Sequence, residues 1–463
     1  MMIIEELKID LEPVDFFAHL ASQKDAVFLD CSKRTPHRRY SIMAFSPTCT
    51  FTARGESAYI TSGGRTRCVR EKPMAVLKNL LEKKKLECDV DFPVGAAIGY
   101  IGYETGYTLE EIQTRPKPGL GIPDCCLNFY DSLLVYDHVD KKYFAISSSE
   151  NINKELRKVL KTCGKPAPAP GPPGASETVR SSTNRSKFTE SVERIKEYIR
   201  EGDVYQVNLS QRFSAGAPPD PFRLYLKLRE LNPVPHSAFL NLDGFQVLSL
   251  SPERFVRIKG SKVQTRPIKG TINRGTDPTD DARKKEKLYG SGKDRAELLM
   301  ITDLERNDLG RVCSPHTISV PDLLSVEEYS SVFHLVSTIE GELAPGKDHI
   351  DCLAAIFPGG SITGAPKIRA MDIIEELEPV QRNIYTGAIG YIGYNDQTDL
   401  NIAIRTAIVA GGSIYFHGGG GIVIDSDPKA EYNETLHKVK PFLDAISPGS
   451  YVRMLHRKGA AFL

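Results

Sequence analysis

Three kinds of residue in this sequence could do chemistry together: a lysine at a strand end, glutamates that recur at helical spacing, and runs of glycine. The lysine is Lys269, in Gln264-Thr265-Arg266-Pro267-Ile268-Lys269-Gly270-Thr271. Phe255, Val256, Ile258 and Val263 read as strand before it, and Pro267 pushes Arg266 to an extended backbone. Gly270 permits a turn that a side chain would hinder. A lysine held this way can present an amine to a small molecule, although the same residues also read as a solvated loop. Glu253, in Ser251-Pro252-Glu253-Arg254, lies sixteen residues earlier, within reach through a hairpin.

Glu297 falls in Asp294–Leu309, which reads as a helix closed by Gly310. Asp294 followed three residues later by Glu297 is equally the spacing of a capping box. Asp427-Pro428 starts a last helix on which Glu431 and Glu434 share a face. Lys438 follows Glu434 at i, i+4, a spacing that also makes an ordinary surface ion pair. Pro358–Lys367 is a glycine-rich turn feeding a helix, whose free N–H groups could face an anion; it lacks the GKS or GKT of a Walker A loop. Asp399–Phe416 reads as a hairpin turning at Gly411-Gly412. Leu400, Ile402, Ile404 and Ile408 face one way along it, so Arg405 faces the other. Gly418 to Gly421 follow, where backbone can approach a ligand closely.

The elements that must position these residues are mostly short strands. Ala26–Asp30, Tyr40–Phe45, Cys49–Ala53, Val204–Ser210 and Phe239–Leu250 have β character, and Phe129–Tyr136 with Tyr143–Ile146 reads as a hairpin. Phe188, Val192, Ile195 and Ile199 mark one face of a helix ending near Gly202. The seven residues Ala97–Tyr103 recur identically as Ala388–Tyr394, which suggests two related sheet units packed together, with antiparallel hairpins and peripheral helices. A Pro/Gly/Ser-rich stretch reads as a linker. It divides the chain into 1–163, the linker 164–186, a second portion 187–445 and a tail 446–463.

Composition narrows the class of protein. Lys and Arg number 60 against 59 for Asp and Glu in 463 residues, a net charge of +1, which gives no nucleic-acid signal. Nine scattered cysteines without a CxxC pair argue against a disulfide framework or zinc site. No apolar leader and no uncharged run near the ~18 residues of a membrane span is present. A cytoplasmic protein with no membrane and no nucleic-acid partner is expected.

Ser251-Pro252-Glu253, Pro267-Ile268-Lys269-Gly270-Thr271, Asp303–Gly310, Gly364-Ala365-Pro366-Lys367 and Gly419-Gly420-Gly421-Ile422-Val423 occur in this order. Together they resemble the chorismate-binding enzymes, which include anthranilate synthase, aminodeoxychorismate synthase, and isochorismate and salicylate synthases. The resemblance spans roughly 187–441 and is looser before that. It implies an α+β fold, a four-layer α/β/β/α sandwich of two orthogonally packed, mainly antiparallel sheets, binding chorismate with one Mg²⁺.

Carried over by position, the resemblance makes Glu297 and Glu434 metal ligands with Glu431 nearby. It makes Glu253 the general acid that protonates the hydroxyl leaving C4. Arg405, Lys438 and the backbone N–H groups of Gly419, Gly420 and Gly421 would hold the carboxylates. Thr271 lies in the lysine motif, Thr363 and Tyr391 match pocket-lining positions, and His334 matches a histidine near the departing hydroxyl. Gln206 stands where water-adding members carry a lysine base, which disfavours isochorismate synthesis.

Lys269 stands where anthranilate synthases usually have alanine. A lysine there resembles the members that make 4-amino-4-deoxychorismate, the precursor of p-aminobenzoate and folate, through attack of the amine on C2 and arrival of ammonia at C4. Anthranilate synthesis is the alternative, and a non-catalytic assembly subunit a third. Nothing resembles a glutaminase, so ammonia is expected from a separate glutamine amidotransferase subunit. Asp30-Cys31-Ser32 and Arg39-Tyr40-Ser41 depart from the Leu-Leu-Glu-Ser pattern of feedback-inhibited relatives, so no tryptophan feedback is expected.

Overall fold

Strand Ala26–Asp30 is buried along its whole length, which is why Ala-Val-Phe-Leu-Asp runs apolar instead of alternating. Val27 and Leu29 pack with Ile98, Tyr100 and Ile389 in the layer between two sheets. Phe28 turns outward to Phe17 and lies under the helical layer with Phe239. The computed structural model describes residues 2–33, 38–110, 112–147, 159, 178–329 and 332–456.

Each sheet has twelve strands, eleven in continuous order and one off that order: Gly364–Ala365 pairs with Gln206–Gly216 in the first sheet, and Ser319–Glu328 with Val332–Glu342 in the second. The first runs Ile3–Leu7, Lys142–Ser147, Ser132–Asp137, Tyr40–Ala44, Ala26–Asp30, His236–Leu242, Phe245–Ser251, Thr406–Ala410, Ser413–Ile422, Gln206–Gly216, Arg180–Ser181. The second runs Ile268–Asn273, Val332–Glu342, Lys262–Arg266, Arg254–Lys259, Gln397–Ile402, Ala388–Gly393, Ala96–Ile101, Cys125–Tyr130, Cys49–Arg54, Ser57–Ser62, Arg65–Val69. Adjacent strands are antiparallel, and helices cover the sheets, so the class is α+β.

The repeated heptapeptide has a direct structural meaning. Ala388–Gly393 pairs with Ala96–Ile101, Gly390 opposite Gly99, so the two copies are hydrogen-bonded neighbours related by a local two-fold. A Cβ on either glycine would meet backbone about 2 Å away, at 2.0 Å from Cys126 O for Gly99 and 2.1 Å from Asp399 O for Gly390.

Both sheets draw strands from both sides of the 164–186 stretch, so that composition break does not divide the sheets. Most of the stretch lies outside the described residues, but its end is ordered: Arg180–Ser181 is a strand and helix Arg185–Arg200 starts on the Asn184 cap, whose side chain accepts from Lys187 N at 2.7 Å. The described start of the tail, 446–456, likewise packs, with Tyr451 Oη 2.7 Å from His437 Nδ1.

The expected strand Phe129–Tyr136 is in fact two, Cys125–Tyr130 in the second sheet and Ser132–Asp137 in the first, with the chain changing sheet at Asp131. The eight cysteines among the described residues are unbridged. None of the described helices is long and apolar enough to cross a membrane.

Candidate active site

Two further changes of sheet build one wall of a cavity. Phe245–Ser251 belongs to the first sheet and Arg254–Lys259 to the second; Gln397–Ile402 belongs to the second and Thr406–Ala410 to the first. The two crossings, Pro252-Glu253 and Ala403-Ile404-Arg405, are lashed together. Ile402 N donates to Glu253 O at 3.0 Å and Leu250 N to Arg405 O at 3.1 Å. Ser251 Oγ donates to Ile402 O at 2.6 Å. Proline and a positive φ of 49° at Arg405 turn the chain at these corners.

This corrects the expected continuous hairpin over Asp399–Phe416. Only the part around Gly411-Gly412 is a hairpin, and Arg405 points inward because of the corner, not because of strand alternation. Its guanidinium donates to Asn232 Oδ1 at 3.3 Å and has no carboxylate partner among the described residues. Burial alone pulls its pKa down, so it is a cation awaiting an anion.

Lys269 reaches the cavity from strand Ile268–Asn273. A register shift between Lys269 and Thr271, with Gly270 at φ 70°, swings the lysine inward as a β-bulge does. Its Nζ lies 3.3 Å from Ser361 O. Burial lowers its pKa, opposed by the charges of Glu297 and Glu253.

Glu253 is buried, and Ile268 N donates to its Oε1 at 3.4 Å. Burial raises its pKa against hydrogen bonding from Ser361 and the charge of Lys269. Across the bulge His334 Nδ1 lies 2.8 Å from Thr271 Oγ1. Burial, helped by the charge of Arg405, pushes that imidazole down to about 4.

Helix Gly292–Gly310 carries Glu297 to the opposite side. Its N-cap is Ser291, whose side chain accepts from Asp294 N. Asp294 therefore lies inside the first turn, and the capping box read at Asp294 and Glu297 does not form. Glu297 is left facing the cavity, 3.8 Å from Lys293 Nζ, with its pKa raised by burial.

Glu431 and Glu434 approach from helix Pro428–Ile446. Gly420 is where they meet: a Cβ there would lie 3.2 Å from Glu431 Oε2 and 3.4 Å from Glu434 Oε1. Glu431 accepts from Ser426 Oγ at 2.7 Å and its pKa is raised by burial. Burial works the other way from the net result at Glu434, which Lys438, 2.7 Å away, holds below the usual range. Lys438 also donates to Gly419 O at 2.9 Å. The i, i+4 ion pair and the cavity position are thus both real.

The cavity these residues enclose measures about 410 Å³. Glu253, Lys269, Thr271, Glu297, His334, Arg405, Gly419, Gly421, Glu431, Glu434 and Lys438 all line it. Gly420, expected with Gly419 and Gly421 to hold a carboxylate, lies against Glu431 and Glu434 and is not part of the lining, and three other candidates sit behind the cavity wall. Gln206 is fully buried beneath Gly421, whose Cβ would lie 2.3 Å from Gln206 Nε2. Thr363 is turned back onto Gly359 O at 2.9 Å. Tyr391 lies in the inter-sheet layer, its strand position opposite Asp399. The glycine-rich loop contributes Ser361 and Ile362, but its helix start does not face the cavity; Lys367 is buried against Asp308 Oδ2 at 2.6 Å.

Sequence reading missed Asn208, Lys293, Ser361, Tyr385 and His417, which also line the cavity. His417 carried a signal: it stands two and four residues before Gly419 and Gly421, on the same strand face. Tyr385 carried none.

Five carboxyl groups, those of Glu253, Asp294, Glu297, Glu431 and Glu434, share the cavity with Lys269, Lys293, Arg405 and Lys438. Among the described residues no three His, Cys, Asp or Glu side chains converge into a closed metal cage. Oxygen-only donors on two helices, one or two to an ion, fit Mg²⁺, which keeps waters and substrate oxygens in its shell.

The architecture and the cavity define a family. Residues 24–444 match the chorismate binding enzymes, and the chain belongs to that family. It is similar to aminodeoxychorismate synthase component 1 of Escherichia coli (strain K12), 40% identical over 411 residues, 88% of this chain and 90% of that one. It is also similar to anthranilate synthase component 1 of Streptomyces coelicolor, 41% identical over 377 residues, 76% of this chain and 73% of that one. The crystal structure of anthranilate synthase component I from Streptococcus pneumoniae TIGR4 superposes with a TM-score of 0.80 at 34% identity, covering 88% of this chain and 92% of that chain.

Proposed function

We propose that the chain aminates chorismate at C4 to give 4-amino-4-deoxychorismate, with ammonia delivered by a glutamine amidotransferase subunit. The names of its relatives point to a second component. The observation that carries the choice of product is Lys269, an amine inside the cavity beside the buried Glu253.

A free lysine of pKa ~10.4 is only about 0.04 % neutral at pH 7. Burial lowers the pKa of Lys269 and raises that of Glu253, so each moves toward its neutral form, as attack by one and proton donation by the other require. Arg405 and Lys438 supply the positive charge for the substrate's carboxylates. The Lys269 amine bonds to C2, both ring double bonds shift one position, and the C4 hydroxyl leaves as water with the proton of Glu253. Ammonia then bonds at C4, both double bonds return, the C2–N bond to Lys269 breaks, and a proton from the new C4 nitrogen restores Glu253. Mg²⁺ held by Glu297 and Glu434, with Glu431 beside them, would bind a substrate carboxylate and offset its charge.

The test is to incubate the pure chain with chorismate, Mg²⁺ and ammonium and separate the products. Aminodeoxychorismate is expected. Fluorescent anthranilate would instead assign the reaction of the Streptomyces relative, and isochorismate would overturn the role given to Gln206. No turnover would favour an assembly subunit.

A further inference from the structure

Lys293 stands where two local rules advise against a lysine. It is the second residue of helix Gly292–Gly310, at the positive end of the helix dipole, where a carboxylate stabilises and an ammonium does not. Its partner at i, i+4 is Glu297, and lysine before glutamate is the weaker order of such a pair. Departures of this kind gather at functional sites.

The side chain leads to the cavity, which it lines where the helix begins. It is 62% exposed, whereas the Glu297 side chain is only 17% exposed. Lys293 Nζ lies 3.8 Å from Glu297 Oε1, well beyond the ~2.8 Å of a charge-assisted hydrogen bond. The pair is loose, and the ammonium does not act on Glu297 alone. Its charge also pulls down on the carboxyl groups of Glu431 and Glu434, which come from helix Pro428–Ile446.

The three glutamates are held differently. Glu434 pairs with Lys438 at 2.7 Å, and Glu431 accepts from Ser426 Oγ at 2.7 Å. Lys438 is further committed to Gly419 O at 2.9 Å. Glu297 has no hydrogen bond and no ion pair among the described residues except that with Lys293, and Lys293 has none except that with Glu297. The one uncommitted cation therefore stands over the one uncommitted carboxylate.

We infer that Lys293 is a resident counter-cation of the glutamate cluster, which holds Glu297 in the metal-free chain and competes with a divalent cation for it. This rests on the metal role proposed for Glu297 and Glu434. Repulsion between an ammonium and a divalent ion makes the two occupants of Glu297 exclusive, and a loose, solvent-screened pair gives way at small cost. Lys293 thus sets how readily the cavity takes metal without being a ligand itself.

Calorimetric titration of Mg²⁺ into the pure chain, without chorismate, tests it. Lys293→Gln is expected to bind Mg²⁺ at least ~5-fold more tightly than wild type, with the difference narrowing in high salt. Lys293→Arg keeps the charge and should stay within about twofold of wild type. Mg²⁺ should also raise the melting temperature of Lys293→Gln more than that of wild type. A damaged helix end would weaken binding, so tighter binding is a result that a merely structural role cannot give. Mg²⁺ affinity unchanged or weakened in Lys293→Gln overturns the inference, as does an equal gain in Lys293→Arg. If neither wild type nor Lys293→Gln takes up Mg²⁺, the metal leaves the proposed function and the inference falls with it. If Lys293→Gln binds Mg²⁺ more tightly while wild type makes no aminated product from ammonium, the inference stands and the proposed amination fails.

Discussion

Lys269 and Glu253 line one cavity, and its burial drives them in opposite senses: the amine down and the carboxyl up, each against the other's charge. Either residue alone in water would hold the wrong proton at neutral pH. Replacing Glu253 with Gln removes the proposed proton donor and keeps the shape. Turnover should fall by roughly 10²–10⁴-fold. The residual rate should lose its alkaline limb and climb with pH to a midpoint below 10.5, that of Lys269. Lys269→Ala should lose turnover on a similar scale with chorismate binding kept within a few-fold. Unchanged rate and product from ammonium in Lys269→Ala would falsify the covalent route.

Gly420 and Gly418 separate the proposed metal role from a folding role two residues apart. A methyl on Gly420 meets the carboxylate oxygens of Glu431 and Glu434, flexible ends that can shift a few tenths of an ångström. A methyl on Gly418 would lie 2.5 Å from Thr435 O, which is helix backbone. Gly420→Ala should therefore raise the Mg²⁺ concentration for half-maximal turnover by about tenfold with melting nearly unchanged. Gly418→Ala should lower the melting temperature. Titrating Mg²⁺ against both variants decides, and an unaltered Mg²⁺ dependence in Gly420→Ala would remove Glu431 and Glu434 from the metal site.

Glu305 and His334 give the fold opposite pH dependences. Burial pushes Glu305 up to about 8, and its Oε2 has no partner. Between the unfolded value near ~4.3 and 8 the folded state holds the extra proton, so stability falls as pH rises, by ~1.4 kcal/mol per unit. Glu305→Gln should raise stability by up to roughly 4 kcal/mol near pH 7.5 and change little at pH 4. His334, pushed down to about 4, is protonated first in the unfolded chain, so stability falls as pH drops from ~6.5 toward 4. His334→Gln should flatten that acid limb. Denaturant melts at pH 4.5, 6 and 8 would show both slopes, and parallel shifts at every pH would refute the assignment.

Helices Arg185–Arg200, Gly292–Gly310 and Pro428–Ile446 and a number of strands were legible from apolar period and caps, and the paired heptapeptide as a repeat, whereas helices Pro221–Leu231, Pro278–Tyr289 and His349–Ile356 were not read. The cavity was not legible from local pattern. Glu253 and Arg405 become neighbours because two strands leave one sheet for the other at the same place, and alternation inside either strand carries no sign of it. Glu297 looked like a cap until Ser291 took that position. The family resemblance singled out eleven of the residues that line the cavity, since it reports on the site without requiring the path of the chain. It also placed Thr363, Tyr391 and Gln206 on a wall they stand behind, because adjacency in a motif does not say which side of a strand a residue faces.

That same ordering of neighbours bears on regulation. Asp30 is fully buried and its carboxylate is taken, by Tyr225 Oη at 2.9 Å and Arg229 Nε at 2.6 Å. Ser32 Oγ donates to Val234 O at 2.9 Å and lies 2.9 Å from Ser237 Oγ. Arg38 reaches across to His236 Nδ1 and Asp399 Oδ2, each at 3.3 Å. These internal bonds occupy the groups that a free amino acid's ammonium and carboxylate would have to engage, and displacing them would leave buried charges unpaired. Tryptophan should accordingly leave both turnover and melting temperature unchanged at millimolar concentration. A ligand at 100 times its Kd would stabilise the fold by ~2.7 kcal/mol, a shift of a few degrees that a thermal melt resolves. Such a shift, or inhibition relieved by Arg38→Ala, would show that these internal bonds give way to an effector.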